Sequence, residues 1–224
     1  MRRIPKLRRA DLDRITAATA KAEATTSAEI VTVIANQSGA YTGQALLVCL
    51  AAMTAYSVLF FVFLGFVNTL LSRYLWHVRP ANLLFAFVAG QVFVFGSVYL
   101  VLSIFPVLRS GIVSRRDKVS RVRERAETAF YRHNIARTKA GNGLLIYISL
   151  LERRVELLVD TGIAARVRPE TWREIVEGIV AGIRAGRFTD ALEGAVASCG
   201  GVLAELFPRL PDDVNELPDA PVRE

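Results

Sequence analysis

Two stretches of the chain carry no charged side chain at all: Gln37 to Ser72 and Pro80 to Leu108. Within them, Ala45–Val67 and Asn82–Ile104 are apolar along their whole length. A helix rises about 1.5 Å per residue, so each run reaches about 35 Å, against a hydrocarbon core about 30 Å thick. Both are therefore predicted to span a membrane. The first run begins too deep in the chain to be a cleaved leader. The connector from Leu71 to Arg79 is short, so the spans form a hairpin. Its Arg73, Tyr74, Trp76 and Arg79 suit the headgroup layer as interfacial anchors.

Outside the hairpin the pattern alternates between helical and strand periods. Leu12, Ile15, Thr19 and Ala22 lie on one stripe, predicting a helix from about Ala10 to Ala24, with Asp11 and Asp13 at its start. Ala28–Ala35 is β-branched and reads as a strand. Beyond the second span, Val119, Val122, Ala126, Ala129, Phe130 and His133 share one face of a helix over Ser114–His133. Gly143–Ser149 reads as a fully buried strand, and Arg154–Asp160 as its antiparallel hairpin partner. Pro169 opens a helix carrying Trp172, Ile175, Val176, Ile179 and Ile183, and Gly186 ends it. Thr189 is the expected N-cap of a last helix striped by Leu192, Ala195, Val196, Cys199, Val202, Leu203 and Leu206. The acidic, Pro-rich stretch 209–224 is expected to be extended.

One strand and one helix do not fold alone. Segments 1–36 and 109–208 are therefore expected to join into one α/β domain, with the hairpin 37–108 inserted after its first strand. The fold class is α/β, a small mixed sheet sandwiched by helices and interrupted by a two-helix transmembrane hairpin. The pairing of the first strand with the second stays open.

Charge sets the orientation. Of 224 residues, 28 are Lys or Arg and 21 Asp or Glu, for a net charge of +7. Residues 109–139 hold ten Lys/Arg against three acids, residues 1–36 seven against four, and the hairpin only Arg73 and Arg79. The positive-inside rule then places both termini in the cytoplasm of a bacterial inner membrane. Arg109, Arg115, Arg116 and Lys118 follow the second span directly, where anionic lipid is the simplest partner and nucleic acid is not needed to explain a pI of 9.8.

The chemistry the residues permit is narrow. Cys49 and Cys199 fall in a span and on a cytoplasmic helix, so no disulfide framework exists. His77 and His133 have no partner at ligand spacing, which excludes a zinc site and a His-dependent triad. The spans contain Thr54, Ser57, Gln91, Ser97 and Ser103 but no acidic or basic group, which argues against a pump or transporter. Ala51-x-x-x-Ala55 and Ala86-x-x-x-Gly90 suit close packing inside the hairpin. Asp160-Thr-Gly162 occurs once, whereas aspartic-protease chemistry needs two carboxylates sharing a proton; Asp160 reads as a strand end and Gly162 as the turn. No phosphate-cradling or phosphatase motif is present. Asp160 and Glu29 are the candidates for a divalent-cation site, the only cofactor the residues suggest. Cation-dependent catalysis would call for at least three carboxylates on one face. Trp172 reads as an anchor between helix and sheet.

In order, Ala28-Glu-Ile-Val-Thr-Val33, Gly143-Leu-Leu-Ile-Tyr-Ile-Ser149, Glu152-Arg-Arg-Val-Glu-Leu157 and Asp160-Thr-Gly-Ile163 resemble the TPM domain. So do Trp172-Arg-Glu-Ile-Val176, Arg184-Ala-Gly-Arg-Phe188, Leu192-Glu-Gly-Ala195 and the Asn215-Glu-Leu-Pro-Asp219 tail, which is most like the membrane-bound bacterial subgroup. The resemblance implies a small sheet between helices. Some plant thylakoid members have been described as acid phosphatases or metal binders, and others serve as accessory subunits of membrane proteins. A hairpin inside the domain, in place of an anchor after it, departs from the common pattern, as does the cytoplasmic placement. The expectation is a non-catalytic interaction or accessory module for another membrane protein, or for itself by self-association. The alternatives are a metal-dependent acid phosphatase and a small membrane oligomer with a conduction role.

Overall fold

The computed structural model describes residues 7–74, 79–105, 108, 111, 113–138, 140–209 and 214–224. The chain divides into two compact units, residues 1–39 with 115–224, and residues 40–114.

In the first unit the elements are α1 (Arg9–Glu23), β1 (Glu29–Ala35), α5 (Arg115–Arg132), β2 (Gly143–Ser149), β3 (Arg154–Val159), the one-turn α6 (Thr161–Ala164), α7 (Pro169–Arg184), α8 (Phe188–Leu206) and β4 (Val222–Arg223). The sheet runs β3-β2-β1-β4. β1 pairs parallel with β2 from Glu29↔Gly143 to Ala35↔Ser149, so the open question of strand order resolves to a crossover pair. β2 and β3 are antiparallel, as a short hairpin requires. β4 adds parallel to β1 over Val33 and Ile34 only. That fourth strand lies at the end of the stretch read as extended, and its two residues carry no periodic signal.

Both central strands are buried on both faces, which explains their largely apolar character, with Glu29, Thr32 and Ser149 the buried polar exceptions. Alternation sends Ile30, Ile34, Leu144, Ile146 and Ile148 toward α1, α7 and α8, where Ile15, Trp172, Ile179, Leu192 and Leu203 close one core. Val31, Val33, Ala35, Leu145 and Tyr147 face Val122, Ala126 and Phe130 of α5 in a second core. Trp172 is the anchor that its spacing suggests. Two members of the α5 stripe differ from expectation: Val119 is 37% exposed, and His133, just past the helix, sits 3.4 Å from a Glu224 carboxylate oxygen. Each lies at an end of the stripe, where the helix runs past the sheet.

Thr189 does not cap α8. The helix begins two residues earlier than that cap would set it, with Phe188 buried at its start and Arg187 at the N-cap without a side-chain bond. The Thr189 hydroxyl donates instead to Asp11 Oδ1 at 3.1 Å. Gly200 sits where α8 crosses α1; a Cβ there would lie 2.7 Å from Ala22 Cβ.

In the second unit α2 (Thr42–Val62), α3 (Leu64–Ser72) and α4 (Pro80–Ile104) make up the apolar segments. α2 and α4 are each long and apolar enough to cross a membrane. The first apolar run is not one helix: the turn at Phe63 separates α2 from α3, beside Gly65. Tyr56 packs over Gly90 and donates to the Ala86 carbonyl at 3.3 Å, so the Ala86/Gly90 pair serves packing within the hairpin. Gln91 donates to Ser57 Oγ at 2.6 Å, satisfying polar groups that lipid would not. Phe60 and Phe87 meet edge-on with centroids 5.2 Å apart.

Candidate functional site

A pocket of about 200 Å³ opens at the leading end of β1. α1 delivers Glu23 at its last residue, β1 delivers Glu29 at its first, and the C-terminal stretch contributes Asn215 and Asp219, with Arg209 alongside. Three carboxylates thus border one cavity. Their oxygens are largely engaged by the chain itself. Glu29, only 6% exposed, accepts the backbone N–H of Glu216 at 2.9 Å through Oε1 and that of Leu217 at 3.3 Å through Oε2. Glu23 Oε1 accepts the Ile30 N–H at 2.8 Å, and Asp219 Oδ1 accepts from Asn215 Nδ2 at 2.6 Å. Glu23 Oε2 is buried without a partner. Burial first, then the neighbouring charges of Glu29 and Asp219, push the Glu23 carboxyl up to about 8, against the opposing pull of the Ile30 N–H. At neutral pH Glu23 therefore carries a proton.

Asp160 stands apart from this pocket. It caps α6, where its Oδ1 accepts the Thr161 N–H at 2.6 Å. Its backbone N–H donates to the Gly143 carbonyl at 2.9 Å, and Gly143 is the register partner of Glu29. Glu29 and Asp160 therefore sit at the same end of the sheet, separated by β2, with their carboxylates turned to different partners. Gly162 is needed beside Asp160 because a Cβ there would run into the Gly141 carbonyl. Among the described residues no three Asp, Glu, His or Cys side chains group as ligands of one ion.

A second polar cluster was not foreseen from the sequence. Glu152, 8% exposed, accepts the Ser38 N–H at 3.1 Å and the Gly39 N–H at 3.3 Å through Oε1, and the Ser149 hydroxyl through Oε2. Ser38 Oγ donates to Ser149 Oγ at 2.8 Å and lies 3.2 Å from the Tyr147 hydroxyl. The network holds Ser38 and Gly39, the third and fourth residues after β1, to the turn between β2 and β3. Its sequence trace is a polar Ser149 ending an apolar strand and a Glu152 in the next turn, a pattern shared by most solvated turns.

Neither cysteine offers a nucleophile of the usual kind. Both are buried, and burial pushes the Cys199 thiol up to about 12. Of the proposed interfacial residues, Arg73, Tyr74 and Arg79 are exposed, and Trp76 lies outside the described residues. Of the basic cluster, Arg115 and Arg116 are exposed at the start of α5, Lys118 is half-buried, and Arg109 lies outside the described residues.

Residues 111–202 match the family model of the TPM domain. The match begins after the second apolar helix, so α1 and β1, which complete the same folded unit, fall before it. The chain is similar in fold to a protein called BA42 from the psychrophilic bacterium Bizionia argentinensis, solved by NMR, with a TM-score of 0.58 and 18% identity over 100% of each chain. At that identity the likeness speaks for the fold. No curated protein matches the chain.

Proposed function

Because the chain carries a TPM domain, we propose that it is a membrane-anchored interaction or accessory module for another membrane protein, working without chemistry of its own. The observation that carries this reading is the use made of the polar pocket at the leading end of β1. Glu29, Glu23 and Asp219 hold backbone and side-chain donors of the same chain, so the cavity fastens the C-terminal stretch to the sheet. The two apolar helices supply the anchor, in a bacterial inner membrane with both termini in the cytoplasm as the Lys/Arg distribution favours. Arg115 and Arg116 then lie where anionic headgroups attract them. Purification of the tagged full chain from native membranes in mild detergent is expected to bring down a second membrane protein, or a second copy, in fixed ratio. A monodisperse single-copy particle, also seen after crosslinking in intact membranes, would overturn the reading.

A second reading, a metal-dependent acid phosphatase, draws on the three carboxylates around the pocket. It expects Ca²⁺, Mg²⁺ or Mn²⁺ to raise the thermal midpoint of the detergent-purified chain. That rise should be lost in Glu29→Gln if the pocket binds the ion, or in Asp160→Ala if the far strand end does. Absence of any rise, together with no turnover of a phosphomonoester, removes it. The third expectation, a conduction role, gains nothing from apolar helices whose polar contacts with one another, Gln91 to Ser57 and Tyr56 to the Ala86 carbonyl, involve no charged group.

A further inference from the structure

A groove of about 550 Å³ runs between α7 and α8, its floor reaching Ile179 and Ala195 of the first core. Half-buried Ile175 and Val202 give it an apolar lining, and its charged lining residues, Glu174 and Asp190, are both acidic and exposed. Asp190 also meets Arg14 at 2.8 Å, a pair exposed enough to leave the rim open to a second cation.

The glycines of these helices differ in their surroundings. Gly182 and Gly200 have an internal reason, since a Cβ at either would collide with Ala191 or Ala22. At Gly178, Gly194 and Gly201 a Cβ would meet nothing within 4 Å. Glycine inside a helix is unfavourable relative to alanine, and no contact within the chain recovers that loss at these positions. Gly201 lies outside the groove, whereas Gly178 and Gly194 line it, and there the missing side chains leave the floor low enough for another backbone to approach closely.

We propose that the α7–α8 groove is the docking surface for a basic amphipathic helix of a partner membrane protein. This rests on the reading of the chain as an interaction module and names the chemistry of its partner. The occupant follows from charge and place. The cytoplasmic flanks of membrane spans are enriched in Lys and Arg, so a juxtamembrane helix presents cations to the rim. Its small and aliphatic stripe meets Ile175 and Val202 over the two glycines, the helix-in-groove mode of recognition. The chain's own α5 is basic, but its apolar stripe is already buried in the second core.

The test uses the full chain in a neutral maltoside detergent and two labelled peptides of roughly five helical turns. Both carry one Ala/Leu stripe; one is flanked by lysines and the other by glutamates. In fluorescence anisotropy the lysine peptide is expected to bind about tenfold or more tighter than the glutamate peptide. Gly194→Leu and Gly178→Leu, at positions where a Cβ meets nothing within 4 Å, should weaken it about tenfold with a thermal midpoint no lower than the parent's. Glu174→Lys should weaken it through the rim. Equal binding of both peptides, or Leu variants whose affinity stays within about twofold of the parent, overturns the proposal. The co-purifying partner separates the two levels. If Gly194→Leu retains the native complex, the groove is wrong and the module reading survives; if no complex forms with the parent chain, the module reading fails as well.

Discussion

Raising the pH from about 5 to about 9 is expected to lower the thermal midpoint of the full chain in detergent, and Glu23→Gln to remove most of that fall. The Glu23 carboxyl titrates near 8 in the folded chain and near 4.5 when unfolded. The folded state therefore binds the proton more tightly, and the stability this contributes is complete below pH 4.5. It is lost progressively as the pH climbs to about 8 and changes no further above that. Glu23 is partly open to solvent, so the loss is discounted to about 2 kcal/mol, a fall of about 4–8 °C for a unit of this size. Glu156, raised by burial in spite of Arg123, adds in the same direction. Asp11, lowered by the Arg8 N–H, acts only toward acid, where its contribution is lost as pH falls, and so leaves this range alone. Gln at 23 still accepts the Ile30 N–H and can donate toward Asp219 at every pH. A parent-like pH slope in Glu23→Gln would mean that the pocket carboxylates do not share a proton.

Glu152→Ala is expected to lower stability by about 2–4 kcal/mol, or about 5–15 °C in midpoint. The substitution strips the acceptor from the Ser38 and Gly39 N–H groups and from the Ser149 hydroxyl. All three then face a dry site with few substitutes, and an unmade bond costs more than the made one contributed. Glu152→Gln keeps one acceptor oxygen and should recover about half of the loss. Ser38→Ala, which removes one hydroxyl and leaves the backbone bonds in place, should cost no more than about 1 kcal/mol. Hydrogen exchange at Ser38 and Gly39 gives the local readout: fast exchange in Glu152→Ala, with β2 protected, places the loss at the clamp. Protection equal to the parent would show that water replaces the carboxylate.

How much of this was legible beforehand depends on the range of each interaction. Periodicity found α1, α5, α7 and α8 and all three long strands, because burial repeats every 3.6 or 2 residues and leaves a local trace. The two apolar helices were legible from length and composition, though the turn at Phe63 was not, since a one-residue break changes no composition. β4 was missed: two residues paired at Val33 and Ile34 are held by the strand beside them. The candidate site divides in the same way. Glu29 was singled out as an acid opening a strand, and its engagement by the Glu216 and Leu217 amides depends on a chain segment far along the sequence. Glu23 was not singled out. Its raised proton affinity comes first from burial and then from Glu29 and Asp219, a setting made by distant segments that no local pattern ties to it.

The parallel pairing of β1 with β2 sets the order of biogenesis. β1 leaves the ribosome early, but its register partners from Gly143 to Ser149 follow only after both apolar helices have been made. Until then a seven-residue, largely apolar strand has no neighbour on either edge. Such non-local pairing is slow and exposed to aggregation. Synthesis of both apolar helices must therefore precede closure of the sheet, and a chain that stalls between them would leave its first strand open to the wrong partners.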